Sequence, residues 1–210
     1  MNSNNNVPSV LLVNFLIDSR GDMYRYETLM DECLADLQIR LYSSEYADQM
    51  LISRTLFNNN VKTEDYVRPG YMDTSYSAQG GSKIYDAIYK THTYTLKYAK
   101  RLKNAGKYVQ PLMFILSGGY DTGSENMQID ARYAIRRMSL ENVKVRFIAF
   151  GAQAAEIPGQ IGISKRDVMW YKKGKLQLKG AFTDAFKQMI TEAQRMGPRV
   201  VEGKDFIMLD

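Results

Sequence analysis

The residues best placed to do chemistry stand together at one point of the chain, in Asp18-Ser19-Arg20-Gly21-Asp22-Met23. They directly follow Val10–Ile17, an apolar run with the length of a buried strand. In an open α/β sheet, ligands bind at the carboxyl ends of the strands, so an acidic turn occupies the favoured ligand position. Other residues narrow the choice of reaction. The chain has one histidine, His92, set among Thr and Tyr in a helical pattern, which leaves little room for imidazole catalysis and reads as a packing or surface residue. The single cysteine, Cys33, excludes an internal disulfide framework and a cysteine-rich zinc site. Ser117 lacks a Gly-x-Ser-x-Gly setting and a histidine partner, so a serine hydrolase is not indicated. Gly80-Gly81 and Gly118-Gly119 match neither the dinucleotide fingerprint nor a P-loop and read as tight turns. Asp121, Glu125 and Asp130 fall at a helix start, where carboxylates are favourable. Arg20-Gly21-Asp22 spells an integrin-recognition tripeptide, read here as coincidence in a short turn after a core strand. No catalytic set emerges, and the expectation is a protein that is not an enzyme.

The composition sets the frame for that turn. With 210 residues the chain can bury one sizeable core. The net charge of +5 and the isoelectric point near 9.1 are mildly basic. Lys97, Lys100, Arg101, Lys103 and Lys107 are dispersed as on a solvated helix face. The excess positive charge keeps a nucleic-acid-associated protein as an alternative. The N-terminal apolar run is too short to cross a bilayer and no secretory apolar region precedes it, so the expected setting is the cytoplasm, or a virion or particle assembled there.

The elements that must position the turn alternate in type. Residues 1–9, rich in Asn and Ser, read as a disordered segment. Val10–Ile17 is a strand, and a helix follows from about Tyr24 to Leu41 with Tyr26, Met30, Cys33, Leu37 and Leu41 on one face. Gln49–Phe57 alternates as a strand, Asn58-Asn59-Asn60 turns, and Val61–Val67 returns as an antiparallel edge strand. A long helix over Lys83–Ala105 has Ile84, Ile88, Thr91, Ala99 and Leu102 inside. Strand Pro111–Leu116, helix Met127–Ser139 with Ile135 and Met138 inside, and strand Val143–Phe150 come next. A loop over Gly151–Lys165, strand Val168–Tyr171 and a closing helix over Phe182–Ala193 complete the domain. The expected fold is α/β: a doubly wound, Rossmann-like, mostly parallel sheet with helices on both faces, spanning 10–195. Residues 196–210 form a tail or an extra strand. Fifteen tyrosines, crowded into the first half, suit either helix packing or a protein interface.

Taken together, the loops resemble the von Willebrand factor A (VWA) domain family. That family carries a metal-ion-dependent adhesion site (MIDAS) on three loops: Asp-x-Ser-x-Ser, a threonine after paired glycines, and an aspartate after the fourth strand. The matching segments are Asp18–Asp22, Gly80-Gly81-Ser82 and Ser117-Gly118-Gly119-Tyr120-Asp121. The resemblance implies a protein-interaction or scaffolding role and a site at Asp18, Asp22 and Ser82, with Asp121 within reach. The site is degenerate: Arg20 and Asp22 replace the two serines, Ser82 replaces the threonine, and Gly118 replaces the third-loop aspartate. A magnesium ion requires hard oxygen ligands, and a guanidinium beside it costs several kcal/mol (~4 kcal/mol at intermediate dielectric). The reading adopted is a metal-free site with no cofactor, in which Arg20 replaces the ion by bridging Asp18 and Asp22. The alternative is a retained magnesium-dependent adhesion module. The expected contact set is Ser19, Arg20, Asp22, Tyr76, Ser82, Tyr120 and Asp121, offered to a protein partner of unknown identity, in a homo-oligomer or in a larger bacterial or phage particle, and not to a membrane.

Overall fold

The computed structural model describes residues 7–197, so residues 1–6 of the N-terminal segment and most of the expected C-terminal tail lie outside the described residues. Six strands form one sheet in the order β3-β2-β1-β4-β5-β6. They are β1 (Ser9–Asp18), β2 (Met50–Phe57), β3 (Val61–Thr63), β4 (Tyr108–Ser117), β5 (Lys144–Phe150) and β6 (Val168–Tyr171). The helices are α1 (Glu27–Tyr42), α2 (Ile84–Asn104), α3 (Gln128–Leu140), the single turn α4 (Ile157–Gln160) and α5 (Lys175–Arg195). All pairings are parallel except β2 with β3, which gives the antiparallel edge strand the sequence indicates.

β1 is central and buried at every position, which explains an apolar run broken only by Asn14. Its side chains alternate between the faces. Leu11, Val13, Phe15 and Ile17 pack with α1 and α5 residues such as Met30, Leu34, Leu178 and Met189. Leu16 packs with α2 and α3 residues such as Ile84, Ala87, Ala134 and Met138. Cys33 belongs to the first of these clusters, and burial pushes its thiol up to about 11, as for a core residue.

Two stretches differ from their sequence pattern. β2 was expected to expose alternate residues, yet it is buried at seven of its eight positions. Its polar side chains are paired inside: Ser53 Oγ accepts from Asn14 Nδ2 at 3.0 Å, and Thr91 Oγ1 donates to Thr55 Oγ1 at 3.2 Å. The returning strand stops at Thr63 rather than Val67. Thr55 faces Thr63, but Ile52 faces Val67, so one extra residue bulges out of register. The closing helix is longer than expected and begins at Lys175.

Candidate functional site

β1 ends at Asp18, between β2 and β4, where the chain's connections depart to opposite sides of the strand. This is the topological switch point of the sheet. The Asp18 carboxylate is fully buried and surrounded by donors. Oδ2 accepts from Gly118 N at 3.0 Å, Ser117 Oγ at 3.2 Å and Arg20 Nε at 3.1 Å. Oδ1 accepts from Arg20 N at 3.2 Å and Arg20 Nε at 3.3 Å. Burial pushes the Asp18 carboxyl above the usual carboxylate range, while the Arg20 guanidinium and the surrounding donors pull it back.

Arg20 runs from this carboxylate across the site. Its Nη2 donates to the Tyr120 carbonyl, and its Nε lies 3.8 Å from Asp22 Oδ1. Asp22 Oδ2 in turn holds Lys173 Nζ at 2.6 Å. The result is a line of alternating charges, Asp18–Arg20–Asp22–Lys173, leading from the core to solvent. Gly119 makes room for it, and Gly118 leaves space for the neighbouring Met23. A Cβ on Gly119 would stand 2.4 Å from Arg20 Nη1, and one on Gly118 would stand 3.0 Å from Met23 Sδ.

Backbone bonds fasten the three loops together. Gln79 N donates to Ser19 O at 2.8 Å and Gly21 N to Gly80 O at 2.9 Å. Thr122 N donates to Ser82 O at 2.8 Å, and Ser82 N donates to Thr122 Oγ1 at 2.7 Å. Tyr76 OH donates to Asp18 O at 2.6 Å from beneath. The segment carrying Tyr76 is itself tied down. Asp31 Oδ1 accepts from Tyr76 N at 2.7 Å, and Glu27 Oε1 accepts from Ala78 N. Arg54, sealed inside, pairs with Glu64 at 2.7 Å and Asp73 at 2.9 Å and donates to the Ser75 carbonyl.

The arrangement does not fit a divalent cation. Such an ion needs free oxygen lone pairs in near-octahedral array. Here the lone pairs of Asp18 face N–H and O–H donors, and Asp22 is held by two cations. Among the described residues, no group of three or more His, Cys, Asp or Glu is positioned to hold a metal. Ser82 Oγ, buried without a partner, is the one feature that suits an ion, and Ser19 Oγ is likewise unpartnered.

No protein-family model and no curated protein matches the sequence. Solved structures do match. The pilus adhesin SpaC from Lactobacillus rhamnosus GG is 9% identical with a TM-score of 0.69, covering 88% of this chain and 30% of that one. Proximal thread matrix protein 1 from the mussel byssus, solved with a zinc-occupied MIDAS motif, is 16% identical with a TM-score of 0.63, covering 86% of this chain and 46% of that one. The SpRpn10 VWA domain is 14% identical with a TM-score of 0.57, covering 83% of this chain and 95% of that one. The fold is that of a von Willebrand factor A domain. The chain spans less than half the length of the first two proteins but nearly all of the SpRpn10 domain.

Within the VWA-like frame, the expected contact residues separate into two groups. Ser19, Arg20, Tyr76 and Ser82 are buried, so they shape the top face rather than present themselves on it. Asp22 and Tyr120 are exposed, and Asp121 is half-buried. Asp121 does not reach the Asp18 carboxylate. Its Oδ1 accepts from Ser124 Oγ at 2.5 Å and Tyr85 N at 3.5 Å, which fixes the third loop against the start of α2. Sequence reasoning missed Lys173, which stands 151 positions from Asp22 and carries no local signal. It also missed the role of Gly119, although the paired glycines marked the place.

Proposed function

We propose that this VWA-like domain is a non-enzymatic protein-interaction or scaffolding module whose adhesion site works without metal, with Arg20 in place of the ion. The observation that carries this reading is the Arg20 guanidinium held on the buried Asp18 carboxylate at 3.1 Å and on the third loop through Tyr120 O. The pair supplies internally the charge neutralisation that an ion would otherwise bring. A partner would then meet a pre-set surface of Asp22, Tyr120 and the exposed residues Gln79, Thr122 and Gln153. Two shallow grooves, of about 330 Å³ beside Ser19 and Gln79 and about 410 Å³ beside Asp22 and Lys173, flank it. The adhesion and matrix proteins among the structural neighbours support an interaction role. Assembly within a bacterial or phage particle is the setting we favour for such a module.

The test is co-purification from the native source in EDTA, with wild type beside Tyr120→Ala and Asp22→Ala. A partner retained in EDTA and lost from the variants supports the reading. A partner lost in EDTA and restored by magnesium contradicts it.

A further inference from the structure

α3 is apolar on two sides. Its inner side is spent on the domain, where Ala131, Ala134, Ile135 and Met138 are buried. Its outer side carries Ile129, Tyr133 and Leu140, which are 61%, 55% and 69% exposed. With Arg136, also exposed, these residues recur at spacings of four, three and four, the seam of a two-heptad coiled coil. A surface helix normally shows one apolar stripe, facing its own core. The second stripe therefore lacks a partner within the described residues, and four of the large exposed hydrophobics of the domain lie between Met127 and Leu140.

We infer that this outer seam is a self-association surface, on which a second copy of the chain packs its own α3 antiparallel about a two-fold axis between Tyr133 and Arg136. Complementarity selects this occupant. The two-fold sets Ile129 against Leu140 of the other copy, and Tyr133 against Arg136, a cation–π pair, each contact occurring twice. At about 100° per residue, Arg137 and Asp130 lie on the same flank of the seam, so the antiparallel arrangement brings Arg137 of one copy towards Asp130 of the other. On the opposite flank Arg132 faces Ser139. A parallel arrangement would instead set Arg136 against Arg136 on the seam and Arg132 towards Arg137 of the other copy, which like charge disfavours. The groups that hold these charges within one copy leave them free to pair. Arg137 is only 3.9 Å from Glu141, and Asp130 uses one oxygen to accept from Met127 N at 2.8 Å. One helix pair buries less than the roughly 800 Å² per partner of a standard interface, so dissociation on the order of tens of micromolar is expected.

Sedimentation velocity of the full chain from about 1 to 300 µM tests this, a range that brackets a weak interface. A monomer–dimer equilibrium is expected, with the dissociation constant raised at least tenfold in Ile129→Glu/Leu140→Glu. Both positions are exposed, so an unchanged melting temperature should accompany that loss. The register is read by mild oxidation. Ile129→Cys/Leu140→Cys should cross-link into a covalent dimer, whereas Ile129→Cys alone should not. A monomer throughout the range, or a dimer indifferent to the glutamates, overturns the proposal. Efficient cross-linking of Ile129→Cys alone overturns the antiparallel arrangement.

Discussion

Arg20 and Arg54 make an instructive pair. Their side chains are only 10% and 1% exposed, and each is held by carboxylates and a backbone carbonyl, Arg54 from within β2 and Arg20 from the loop that follows β1. Their surroundings differ. Arg54 meets Glu64 with two nitrogens, Nε at 3.0 Å and Nη2 at 2.7 Å, and adds Asp73. It staples the segment after β3 to β2 and thereby aims Tyr76. Arg20 meets Asp18 with Nε alone, its second carboxylate is 3.8 Å away, and it lies at the switch point where this fold offers a ligand site. The same chemistry fastens two segments in one place and, in the function proposed above, stands in for an ion in the other.

The sharpest way to break the comparison is to remove each cation. Arg54→Met strands Glu64 beside a buried apolar side chain. Breaking such a pair costs about 3–5 kcal/mol, which at about 2–4 °C per kcal/mol for a domain of this size lowers the melting temperature by on the order of 10 °C. Calorimetry reads that loss, and magnesium should not repair it. A fall of less than about 3 °C would deny Arg54 the role of fastener.

A smaller perturbation leaves both charges in place. Gly119→Ala drives a methyl group to within 2.4 Å of Arg20 Nη1, so it should cost about 1–3 kcal/mol as overpacking does. The cost should vanish when Arg20→Ser is present in the same chain, because the two act on one contact. Additive losses in chemical denaturation would show that Gly119 serves some other need.

The smallest effect lies away from both arginines. Burial lowers the His92 imidazole below its ordinary value. In the unfolded chain His92 takes up its proton near pH 6.5, so stability should fall as the pH drops below that value and level off once the folded imidazole is also protonated. His92→Gln should flatten this part of the profile, and an unchanged profile would remove His92 as its source.

How much of this was legible beforehand depended on whether the signal was local. β1 announced itself because a strand buried on both faces is apolar at nearly every position, Asn14 excepted. Strand β6 matches its sequence reading at both ends, and the inner residues of α1 and α2 follow a helical period. The likeness of the three loops and the placement of Arg20 beside Asp18 were also readable, since only Ser19 separates the two residues in sequence. Features that rest on distant pairing were not. Arg54 looked like the polar face of an alternating strand, because its partners Glu64 and Asp73 come from later segments. The first turns of α5 were missed because Gly174, Gly180 and the lysines there weaken the helical pattern. Tyr76 was read as a surface contact, yet its hydroxyl turns inward to the Asp18 carbonyl.

The central claim is that Arg20 occupies the charge position of an ion, and thermal unfolding in EDTA against millimolar magnesium or manganese tests it most directly. A ligand at about 100 times its dissociation constant adds about 2.7 kcal/mol, a shift of several degrees here. The account predicts no shift for the wild-type chain and a metal-specific rise for Arg20→Ser/Gly118→Asp, which exchanges the guanidinium for a hydroxyl and adds a carboxylate. A magnesium-specific rise in the wild-type chain, lost in Asp18→Ala, would contradict it.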